Sequence, residues 1–100
     1  MQDKINKIVI HCSASPQGRG DDAREIHRWH TDSPRDWSGI GYHEVILEDG
    51  TLQHGRPHYW QGAHCRKHNK NSLGICLIGM GGDATKEQLI ILKSLLTDLL

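Results

Sequence analysis

The order of elements legible in this sequence predicts an α/β fold: a mixed central β-sheet flanked by helices, in two or three layers. Three observations carry that expectation. Ile8-Val9-Ile10 is an apolar run near the start, Ser72-Leu73-Gly74-Ile75-Cys76-Leu77-Ile78-Gly79 is a nearly continuous one in the last third, and an amphipathic stretch follows from Thr85. A continuous apolar run is what a strand covered on both faces requires, and helices are what cover it.

The elements follow in order. Residues 5–11 read as a short buried strand closing on His11-Cys12-Ser13. Ser15-Pro16-Gln17-Gly18-Arg19-Gly20 is a loop by composition. Asp21 or Asp22 can cap a helix over 23–30, with Ala23, Ile26 and His30 along one face. The stretch 31–41 is polar and turn-rich, with Pro34, Gly39 and Gly41. Residues 42–47 are strand-like, Glu48-Asp49-Gly50-Thr51 is a hairpin turn, and 52–56 returns. A His-rich connection without periodicity covers 58–71, and loops of that length are usually functional.

The apolar run over 72–79 is the central strand, and Met80-Gly81-Gly82-Asp83 breaks it. Thr85 and Gln88 form a capping box for the last helix, whose Leu89, Leu92, Leu95 or Leu96, and Leu99 make one stripe suited to a sheet face. That helix reaches Leu100 with no Gly, Asn or Pro to end it and no cationic last turn, so it is expected to be cut short there.

Twelve basic and twelve acidic side chains cancel, so no global field draws the chain to nucleic acid or anionic lipid. No membrane-spanning apolar stretch and no secretory h-region are visible, so the chain is expected to be cytoplasmic as synthesised. Cys12, Cys65 and Cys76 are odd in number and show no Cys-x-x-Cys spacing, which reads as reduced thiols. Eight histidines in 100 residues are the compositional outlier and point to metal or proton-transfer chemistry.

His11 ends the first strand, where an α/β sheet gathers ligands. It reads as a metal ligand or catalytic base, or as a strand-end histidine bonded to backbone. Gly39-Ile40-Gly41-Tyr42-His43 turns tightly into a strand and delivers Tyr42 to a fixed place. Its phenol suits a developing oxyanion, and a half-buried strand tyrosine is the plainer reading. Strand alternation puts Tyr42 and His43 on opposite faces, so that one of the two lines a site. His27 and His30 sit at i, i+3 and read as a solvated helical face, while Pro57 keeps His54 and His58 off a common helix. Cys65-Arg66-Lys67-His68 has zinc-knuckle spacing but lacks a second pair. Asn69-Lys70-Asn71-Ser72-Leu73-Gly74 leads into the central strand with short polar side chains beside a glycine, which can line a groove that reads amide groups, a turn before a strand being the default reading.

Taken together, Ile8-Val9-Ile10-His11-Cys12-Ser13-Ala14, Gly39-Ile40-Gly41-Tyr42-His43 and Asn71-Ser72-Leu73-Gly74-Ile75-Cys76-Leu77-Ile78-Gly79 resemble the zinc-dependent N-acetylmuramoyl-L-alanine amidases of type 2. That family includes the phage lysozyme-like endolysins and shares its fold with peptidoglycan recognition proteins. The likeness runs from about Ile8 onward and takes in Asp49-Gly50-Thr51 and Gly62-Ala63-His64.

The resemblance implies that His11 is a zinc (Zn2+) ligand, Tyr42 the catalytic tyrosine, His64 a substrate-facing histidine near the metal, and Asn71 a groove residue. It implies peptidoglycan as substrate, cut at the amide between N-acetylmuramic acid and L-alanine after release to the wall. It places a second zinc histidine, a Cys or Asp ligand and a lysine beyond the last helix. Residues 1–100 are therefore expected to be the N-terminal portion of a single amidase-like domain, weak or inactive alone. The alternative is an inactive peptidoglycan-binding protein on the same fold, or one that regulates a phage RNA polymerase.

Overall fold

The computed structural model describes residues 5–15, 21–32, 35, 37, 39–79 and 84–99. In chain order the elements are β1 (Lys7–Cys12), α1 (Ala23–Thr31), β2 (Glu44–Ile46), β3 (Leu52–His54), β4 (Ser72–Leu77) and α2 (Lys86–Leu99). The sheet runs β1-β4-β2-β3, with β1 and β2 both parallel to β4 and β3 antiparallel to β2. This is the mixed sheet the sequence predicts. The long apolar run supplies the central strand, buried from Ser72 to Cys76.

Register fixes the faces. His11 pairs with Cys76 and Cys76 with Val45, so these three side chains point to one side of the sheet. On that side Val45, Cys76 and Ile78 pack with Ile26 of α1 and with Ile40. The cap of α1 is Asp22, whose carboxylate accepts the Glu25 amide hydrogen at 3.1 Å. Ile26 and His30 are the residues the helix buries.

The alternate residues Ile8, Ile10 and Leu73 face the other way and line an apolar groove with Leu96 and Leu99 of α2. The helices thus cover opposite faces, and the architecture has three layers.

The strands around the hairpin are shorter than expected, because the pairing goes on as single bonds through a bend. His43 N–H donates to Gly74 O at 2.8 Å, Gly55 N–H to His43 O at 2.9 Å, and Arg56 N–H to Tyr42 O at 2.9 Å.

The stripe of α2 also differs. The capping box is present, with Thr85 N–H donating to Gln88 Oε1 at 2.9 Å and Gln88 N–H to Thr85 Oγ1 at 3.1 Å. Gln88 itself takes the inward place: it is fully buried, and its Nε2 donates to Ile46 O at 3.0 Å and Ile78 O at 2.8 Å. That sets the rotation of the first turn, so Leu89, expected inside, stands 52% exposed. The breaker at 80–83, the loop residues 16–20 and Pro34 lie outside the described residues.

Candidate active site

Tyr42 sits in the bend before β2, its ring 5.3 Å from that of His11. The turn that delivers it is pinned by α1. Gly41 N–H donates to His30 Nδ1 at 2.8 Å, and Ile40 N–H to His27 Nδ1 at 3.3 Å. From the other side Arg56 Nε donates to Ile40 O at 2.7 Å. The His27/His30 pair is thus not the idle solvated face expected. Each ring accepts an amide hydrogen that the tight turn leaves without a strand partner.

His64 comes from the long loop and completes the group. Its ring is 5.2 Å from that of His11, and His11 Nε2 lies 3.0 Å from His64 Nδ1. The ring rests on the backbone of β4 at Gly74, where an added Cβ would run into it. A Cβ at Gly62 would come within 2.6 Å of His64 Cδ2 and 2.8 Å of His43 Cε1. These two glycines together make the slot. Asn69 holds the loop from below, its Oδ1 accepting the amide hydrogens of His64 and Cys65, each at 2.8 Å.

His43 is wholly buried beside this group, 5.7 Å from the His64 ring. Gly74 N–H donates to its Nδ1 at 3.0 Å, which leaves Nε2 protonated and donating to Trp60 O at 2.7 Å. Tyr42 and His43 therefore do not part to opposite sides as strand alternation suggests. Both precede the first residue of β2, in the bend, where strict alternation does not apply. The contacts run continuously from His30 through Tyr42, His11 and His64 to His43.

Burial keeps this group uncharged. It lowers the His11 and His43 pKa values. His64 falls to about 4, through burial first and then the neighbouring His11, His43 and Arg56. Tyr42 moves well above its ordinary value, through burial first and then the Cys76 thiol beside its hydroxyl. Burial pushes Cys76 up to about 12. At neutral pH the cluster is a protonated phenol beside neutral imidazoles, each ring with one N–H and one lone pair, in partly dry surroundings.

Of the residues singled out from sequence, His11, Tyr42 and His64 come together. Asn71 is not in the ring cluster. It is a left-handed turn residue (φ 56°) immediately before β4, and its carbonyl accepts the Asn6 amide hydrogen at 2.9 Å. His68 N–H donates to Cys65 O at 2.8 Å, so the knuckle-like spacing forms a turn. His43, which the sequence offers only as the alternative to Tyr42, and Ser72, which it offers only as a groove or turn residue, both belong to the cluster. No sequence signal marks the buried Glu44, whose carboxylate binds His54 Nδ1 and His58 Nε2, each at 2.8 Å. The glycines at 62 and 74 were the available signal for the His64 slot.

A catalytic zinc needs three protein donors and an open position. Among the described residues no group of three or more His, Cys, Asp or Glu side chains is placed to hold a metal. His11 can supply one donor, and the residues described do not complete a set.

The sequence matches the family model described as N-acetylmuramoyl-L-alanine amidase over residues 1–100. It is 35% identical over 106 residues to the endolysin of Escherichia phage T7, covering 99% of this chain and 69% of that protein. The structure is similar to N-acetylmuramoyl-L-alanine amidase LysC from Clostridium intestinale URNW, with TM-score 0.85 and 33% identity, over 96% of this chain and 62% of that one. It is similar also to the ectodomain complex of peptidoglycan recognition proteins LCa and LCx bound to tracheal cytotoxin, with TM-score 0.82 and 30% identity, over 97% and 63%. The chain thus spans less than two thirds of these solved structures.

Proposed function

This chain belongs to the N-acetylmuramoyl-L-alanine amidase family, and from that premise we propose that it acts in peptidoglycan hydrolysis, at the amide joining N-acetylmuramic acid to L-alanine. The observation that supports the reading is the meeting of His11, Tyr42 and His64, with Tyr42 5.3 Å and His64 5.2 Å from the His11 ring. In such a cleavage water adds to the lactyl carbonyl, the C–N bond breaks, and the alanine amine leaves with a proton. The Tyr42 phenol, kept protonated by burial, is the donor for the oxygen that gains charge. The neutral His11 imidazole supplies one free lone pair, which would hold the metal when it is bound and is otherwise open to a substrate N–H.

Zinc belongs to the proposal with His11 as one donor. The described residues do not complete its coordination, so no step is derived through the metal.

That incomplete donor set favours a second reading, a protein that binds peptidoglycan without cutting it, and the recognition-protein complex above has a similar fold. Regulation of a phage RNA polymerase rests on the sequence resemblance alone, and is tested by adding the chain to a transcription assay.

Purified sacculi separate the first two readings. Cleavage releases free L-alanine amines without new reducing sugar ends, and Tyr42→Phe lowers that release. Co-sedimentation with sacculi and no free amine supports the binding reading. Reducing ends without amines would overturn the amidase assignment.

A further inference from the structure

We propose that Ser72 is a positioning residue that fixes, through His64, which nitrogen of His11 carries the proton. Hydrogen-bond direction decides it. Ser72 Oγ lies 2.7 Å from His68 O and 2.9 Å from Asn69 O. Carbonyl oxygens only accept, so the single hydroxyl hydrogen is committed to them.

The same oxygen lies 3.1 Å from His64 Nε2. With its hydrogen spent, Ser72 Oγ bonds that nitrogen only as an acceptor, so His64 carries its proton on Nε2. A neutral imidazole has one N–H, and His64 Nδ1 is therefore a bare acceptor. His11 Nε2, 3.0 Å away, must then be the donor. One further step leaves His11 Nδ1 without a proton, holding a free lone pair.

The site is built to hold this order. Ser72 is fully buried at the first position of β4, and His64 is seated on Gly74. Among the described residues the structure gives His11 Nδ1 no hydrogen-bond partner. That lone pair is what the cluster offers to an electrophile, whether a cation or an N–H of a bound peptide. A histidine tautomer is set by the bond made at the other ring nitrogen, and Ser72 sets it here two hydrogen bonds away, through His64.

The hydrogen-bond order rests on geometry alone, and only its bearing on amide cleavage rests on the proposed function. The test is a long-range 1H–15N correlation spectrum of the 15N-labelled chain near neutral pH in EDTA, which distinguishes protonated from bare imidazole nitrogens. The expected result is His11 and His64 both protonated on Nε2, with a scalar coupling between His11 Nε2 and His64 Nδ1. Ser72→Ala removes the acceptor, so the His11 nitrogen shifts move toward those of a tautomer mixture, and Ser72→Thr, which keeps the hydroxyl, restores the single form. His11 protonated on Nδ1 in the parent chain overturns the proposal, as do His11 shifts unmoved in a folded Ser72→Ala. The parent spectrum decides even where a variant does not fold. Loss of amidase activity with the expected spectrum counts against the function and leaves the hydrogen-bond order standing.

Discussion

His43 accepts the amide hydrogen of Gly74 on Nδ1 at 3.0 Å, and this one bond fixes the tautomer of a fully buried ring that also holds the loop of Trp60. Replacing His43 by Ala leaves Gly74 N–H and Trp60 O without their partner and opens a void beside His64. A loss of about 3 kcal/mol is expected from the two unmet groups and the cavity. Urea unfolding measures it, and a loss within experimental error would show that the ring is dispensable.

Gly74→Ala drives a methyl into the space of the His64 ring, whereas a methyl at Gly39 meets His27 Cε1 at an ordinary 3.5 Å. The first variant should lose the His11–His64 contact and sacculus binding or cleavage, at a stability cost of about 1–3 kcal/mol from overpacking. The second should keep both. Equal behaviour of the two alanine variants would refute the slot.

Gln88→Leu keeps the volume and removes both amide donors, leaving Ile46 O and Ile78 O unserved by the side chain. It also removes the acceptor for Thr85 N–H. A destabilisation of about 2–4 kcal/mol is expected from these losses. Thermal unfolding of Gln88→Leu beside Leu89→Ala, at an exposed position of the same helix, gives the contrast.

His30 can accept from Gly41 only while neutral, and its pKa falls to about 4 through burial, then the charges of Arg35, Arg56 and His27. A depressed folded-state value means that the unfolded chain takes the proton first. The stability this ring contributes is therefore complete above the unfolded value of 6.5 and disappears as pH falls toward 4. The loss should be about 2 kcal/mol, discounted from the full shift for solvent screening. Urea midpoints at pH 7.5 and pH 4.5 should differ more for the parent than for His30→Gln, which cannot titrate.

Dialysis of the chain against zinc, then against buffer, should leave well under one equivalent bound, because the described residues bring no three donors together. One equivalent surviving dialysis would mean that donors outside those residues complete a site.

The sequence made the sheet and helices legible because its apolar runs match the two periods that strands and helices impose. It made His11, Tyr42 and His64 legible through their places in motifs. Illegible were contacts that depend on backbone left bare by a bend. His27 and His30 meet amides of the 39–41 turn, and no helical periodicity encodes that. Tyr42 and His43 share a cluster because the chain is not yet a strand where they sit. Gln88 carries a capping signature, yet its burial depends on two carbonyls distant in sequence.

That buried amide has a mechanical consequence for α2. The helix is bolted at its first turn through Gln88 and Thr85, whose hydroxyl also reaches Glu48 O at 2.7 Å, while farther along the half-covered Leu96 and Leu99 line a groove against the sheet. It behaves as a cantilever: backbone hydrogens near Leu99 should trade with solvent long before those of Ile91 and Leu92, and fraying should travel from the far end toward the clamp.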